Sequence, residues 1–161
     1  MSDSILEIFK VESLKLIGEL NGVVKVLENS HQIFPSELLE EFSQKIDRIM
    51  GTAQVINELN PKHLGLKRIG TIAELCKKIG YGAVEKKDVA LLPIFAAFWA
   101  DTLEVIGELL NALENEKATE KISREFSEVV QSRLEWLAKK VSPQKADPAL
   151  DIQDLLNKLR N

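Results

Sequence analysis

Apolar residues recur at steps of three and four along nearly the whole chain, and strand-like alternation is almost absent. The pattern predicts an all-α protein: an up-and-down bundle of about five helices, followed by a short amphipathic C-terminal helix. The first helix is expected from about Ser4 to Glu28, with Leu6, Phe9, Leu16, Leu20, Val23 and Leu27 inward. The second starts near Pro35, a good first-turn residue, and runs to about Asn57. Its inner stripe is Leu39, Phe42, Ile46, Ile49, Ala53 and Ile56. Asn60-Pro61 breaks the chain, and a third helix runs to Gly80, where Gly80-Tyr81-Gly82 reads as a stop signal.

A fourth helix begins around Asp88 and is apolar almost all round through Leu91, Leu92, Ile94, Phe95, Phe98 and Trp99, which suits the centre of a bundle. Pro93 is tolerated there if it falls in the first turn and kinks the helix otherwise. The fifth helix, about Thr119 to Val141, turns Ile122, Phe126, Val129, Val130, Leu134 and Leu137 inward. Residues 1–141 thus form the bundle, 142–149 a linker containing Pro143 and Pro148, and 150–161 a tail carrying Leu150, Ile152, Leu155, Leu156 and Leu159. A stretch of about eleven residues is only a marginal helix by itself, so the tail needs a surface to fold against.

Composition narrows the classes. A chain of 161 residues supports one well-buried domain, and a hydrophobic share of 45% with 29% charged residues is that of a globular protein. A net charge of −4 argues against a general binder of nucleic acid or anionic membrane. Cys76 is the sole cysteine, so an internal disulfide is impossible and a reducing compartment is expected. Met1-Ser2-Asp3-Ser4 lacks the basic start of a signal peptide, and the apolar run from Val89 to Ala100 is too short to span a bilayer. The expectation is a cytoplasmic protein. Neither metal ligand spacing nor a glycine-rich phosphate loop is present, so no cofactor is expected on this chain.

The chemistry concentrates on the outer face of the second helix, which carries Glu40, Gln44, Asp47, Gly51 and Gln54. Asp47 and Gln54 are seven residues apart and share a face at roughly 10 Å separation along the axis. The segment Asp47-Arg48-Ile49-Met50-Gly51-Thr52-Ala53 resembles the H-x-L-K-G-x-A signature of histidine phosphotransfer domains, with Ile49, Gly51 and Ala53 matching. Asp47 stands where the phosphorylated histidine would be, and Met50 where the lysine would be. The order of elements over about residues 4 to 140, including Gly65 to Leu75, is similar to the phosphotransfer domain of CheA-type chemotaxis kinases. The spacing from Gly51 to Gly65 is longer by about two helical turns. The resemblance implies a docking surface for a response regulator, centred on Asp47, Met50, Gly51 and Gln54, from which the nucleophile is missing. A carboxylate is a weak nucleophile unless a site activates it.

Of the two histidines, His31 falls in an expected interhelix loop and His63 directly after the helix-breaking Pro61. A loose slide of the motif nominates His63 as an alternative phosphoacceptor.

The tail carries a second resemblance. Asp151-Ile152-Gln153-Asp154-Leu155-Leu156-Asn157-Lys158-Leu159 is similar to the acidic, Leu-Leu helical peptides by which the CheZ phosphatase and the switch protein FliM hold CheY-type regulators. Ile152, Leu155, Leu156 and Leu159 would anchor in a groove, with Asp151 and Asp154 near the helix N-terminus. The terminal aromatic of the CheZ peptide is absent.

Three functions follow. The first is a silent phosphotransfer-like protein that binds a CheY-type regulator, itself expected to carry Mg2+. The second is a CheZ-like phosphatase in which Gln54 or Gln44 orients water and Asp47 or Glu40 supplies the carboxylate. The third is a purely structural bundle, or a homodimer of it, whose tail packs on its own domain.

Overall fold

The computed structural model describes residues 3–29, 35–87, 89–141, 154–155 and 157–159. Five long helices account for it: α1 (Asp3–Glu28), α2 (Ser36–Leu59), α3 (Leu64–Lys86), α4 (Leu92–Asn111) and α5 (Glu116–Val141). No strand occurs among the described residues, so the fold is the expected all-α bundle. Contacts link α1 to α2, α2 to α3, α3 to α4 and α4 back to α1, closing a four-helix ring. The fifth helix lies outside it, against both α3 and α4.

The inner stripe of α2 is the one the periodicity predicts, from Leu39 to Ile56, and it buries Ser43 as well. On α1 the buried apolar set is Leu6, Phe9, Ile17, Leu20, Val23, Val24 and Leu27, so Ile17 takes the place expected of Leu16, which is half-buried. On α4, Leu92, Phe95, Phe98 and Trp99 are buried while Ile94 is half-buried. The Trp99 ring meets Phe42 at 4.7 Å and Phe95 at 5.6 Å between centroids, joining α2 to α4 through the middle of the ring.

The helix ends differ from expectation in physical ways. The third helix does not stop at Gly80 but continues to Lys86, and Gly80 serves a close helix approach instead. A 3-10 turn, Val89–Leu91, precedes α4 and brings Pro93 into its first turn, where its missing N–H costs nothing. The fifth helix starts at Glu116, earlier than Thr119, because the Asn115 side-chain oxygen accepts the Ala118 N–H at 3.0 Å as an N-cap. Of its expected inward residues, Phe126 is buried and Ile122 half-buried, whereas Thr119, Ser123 and Ser127 are buried. Ser123 returns its hydroxyl to the Thr119 carbonyl at 2.8 Å, which satisfies it inside the helix. The side chains of Val129, Val130, Leu134 and Leu137 lie outside the described residues.

The segment Val89–Asn111 is long and apolar enough to cross a membrane by length and composition, unlike the shorter run to Ala100 read from the sequence. Half of its apolar window is buried within the bundle, so the apolar excess also serves as the core of this fold.

Candidate functional site

The second and third helices run antiparallel, and three contacts fix their register: Ser43 with Gly80, Asp47 with Lys77, and Gln54 with Gly70. Glu40, Gln44 and Gln54 are exposed along this side of α2, and Asp47 and Gly51 are half-exposed between them. The five positions therefore form one accessible stripe beside the α2–α3 seam, as the heptad spacing requires.

Asp47 is not a bare carboxylate. Lys77 Nζ donates to its Oδ1 at 2.7 Å, and the same ammonium lies 5.6 Å from the centre of the Tyr81 ring. The ion pair raises the Lys77 pKa above the usual lysine value, against a smaller opposing effect of burial. The cation absent at Met50 is thus supplied by Lys77 of α3. Its signal in the sequence is the Lys77-Lys78 pair, but only the α2–α3 register shows that Lys77 meets Asp47. A carboxylate neutralised in this way is a still poorer nucleophile.

Met50 is half-buried and packs against the core instead of standing free on the stripe. A β-carbon at Gly51 would meet nothing within 4 Å, which is equally true of Gly18, Gly22 and Gly107. No internal contact therefore demands glycine at position 51, and the space above it is open to a partner. Arg48, on the other side of the motif, lines a separate groove between α1 and α2 with Ile5, Ile8 and Phe9.

His63 is a helix cap. Its Nδ1 accepts the Leu66 N–H at 3.2 Å, and its Nε2 lies 3.2 Å from Glu114 Oε1, with the side chain only 9% exposed. Accepting at Nδ1 puts the proton of the neutral ring on Nε2, which then donates to Glu114. Both nitrogens are engaged, so this ring is not presented for phosphorylation. His31 lies outside the described residues.

The tail is where the structure adds most. Leu155 and Leu159 are 3% and 1% exposed and belong to the hydrophobic core cluster of the bundle. Asn157 and Lys158 line a cavity whose other walls include Gln54 and Asn57 of α2 and Lys67, Arg68 and Thr71 of α3. Two of the four expected anchors are thus occupied by the chain's own domain, with Asp154 exposed beside them. Asp151, Ile152, Leu156 and the 142–149 linker lie outside the described residues.

No protein-family model, curated protein or solved structure matches this chain.

Proposed function

We propose that this chain is a catalytically silent, phosphotransfer-like binding protein that meets a CheY-type response regulator through the α2 stripe. The observation that carries this reading is the placement of Gln44, Asp47 and Gln54 on one accessible face, with Lys77 holding the Asp47 carboxylate. A polar stripe beside a helix seam, with an open glycine between its side chains, suits the approach of a partner's loop. The Asp47–Lys77 pair suits docking without phosphoryl acceptance. The reading implies a cytoplasmic protein acting in two-component signalling or chemotaxis. The tail tethers the regulator by raising its effective concentration, after Leu155 and Leu159 have left their own core.

A second reading is favoured by that same burial: a self-contained helical bundle whose tail is a structural brace. One experiment separates them. A phosphorylated CheY-type regulator of the same organism is incubated with Mg2+, with and without the protein, and binding and decay are followed. Binding with unchanged decay that weakens on Asp47→Ala or Gly51→Leu supports the silent binder. Faster decay lost on Gln54→Ala or Gln44→Ala replaces it with a phosphatase. Neither binding nor altered decay leaves the braced bundle.

A further inference from the structure

The cavity between α2, α3 and the tail holds one group that the fold leaves unsatisfied. Arg68 is only 8% exposed, lines this cavity, and its Nε–H finds no hydrogen-bond partner. Burial depresses its pKa, and Glu120 partly offsets this through space. A guanidinium carries donors only, so each one enclosed without an acceptor leaves a desolvation cost unreturned. The surroundings compound the charge. Lys67 and Lys158 line the same cavity, against Glu74 as the one acidic residue among its described lining residues. The first turn of α3 lies alongside and carries no acidic side chain to offset its dipole. An excess of cationic over acidic side chains among the described lining residues, a buried Arg68 Nε–H with no acceptor and the polar side chains of Gln54 and Thr71 describe a receptor for a negative group.

We propose that this cavity binds a small free anion bearing a phosphate or carboxylate group, with Arg68 as the principal donor and Lys67 and Lys158 at the rim. The volume, near 580 Å3, is that of a small-molecule site. The tail forms one wall, so a loose ligand reaches Arg68 more readily than a side chain fixed on a folded partner. The same wall gives the site a consequence: an anion held between Arg68 of α3 and Lys158 of the tail fastens the tail to the bundle. Together with the proposed regulator binding, such a ligand withholds the tail from the partner. Anion binding itself requires no regulator, so its test stands apart from that of the proposed function.

The test is a titration of the full chain with inorganic phosphate and, separately, succinate, at constant ionic strength made up with chloride. Nitrogen-15 NMR follows the Arg68 Nε–H and the amides of Gln54, Thr71 and Lys158. The expected result is saturable movement of the Arg68 Nε–H with one or both anions, weakened about tenfold or more by Arg68→Gln and measurably by Lys158→Ala. The relative affinity of the two probes then assigns the site to phosphates or to carboxylates. Lys158 is exposed, so its variant keeps the test valid should Arg68→Gln unfold. Movement that fails to saturate, or that neither variant alters, overturns the proposal.

Discussion

A β-carbon on Gly80 would stand 2.8 Å from the Ser43 hydroxyl oxygen, so the second and third helices meet at a point where even a methyl group would force that hydroxyl to move. The same hydroxyl is buried and has no hydrogen-bond partner. Gly80→Ala gains about 1 kcal/mol of helix propensity but incurs roughly 1–3 kcal/mol of overpacking against Ser43. The expected outcome is a net loss of stability in urea denaturation. Ser43→Ala removes an unsatisfied polar atom and is expected to be neutral or stabilising. The double variant should recover the loss, and simple additivity of the two would refute the contact.

The Asp47–Lys77 pair holds the stripe in place more than it stabilises the fold. Asp47 is about half exposed, so Lys77→Met is expected to cost well under about 1 kcal/mol. A fall of several kcal/mol in the same denaturation assay would mean that the pair is structural.

His63 should behave as a cap. Replacing it by Ala removes the acceptor for the Leu66 N–H and is expected to cost about 1 kcal/mol, whereas His63→Asn restores most of it. Incubation with a phosphodonor should leave His63 unmodified by mass spectrometry.

Stability should fall in alkali. Burial holds the Cys76 thiol well above its usual value, and pairing raises Lys77, so both groups keep protons in the folded chain that the unfolded chain gives up. Their contribution is complete below the ordinary thiol value near 9.0 and is lost progressively as pH rises through the raised values. Cys76→Ala should flatten the first part of this decline, measured as denaturation midpoint against pH. In the native protein Cys76 should react with a thiol reagent only as fast as the bundle opens.

The tail leucines give the largest expected effect. Leu155→Ala or Leu159→Ala should each cost about 2–5 kcal/mol if the tail stays docked as a core element, the range for emptying a buried leucine site. A negligible change would place the tail's free and docked states near balance, as tethering a regulator requires.

Much of the architecture was legible along the chain because a helix buries every third or fourth residue, and the stripe of α2 from Leu39 to Ile56 follows from that alone. Composition and spacing were also enough to put Gln44, Asp47 and Gln54 on one outer face and His63 at a helix start. Gly80 was misread as a stop because glycine ends helices and also admits close neighbours, and only the approach of Ser43 selects the second role. Likewise, Lys77 lies 30 residues from Asp47, and Arg68 is one cation among many in the sequence. Local pattern determined which residues form helices and which faces turn inward. The pairing of Lys77 with Asp47, the enclosure of Arg68 and the seating of Leu155 and Leu159 were decided by tertiary packing, because they depend on which helices become neighbours and in what register.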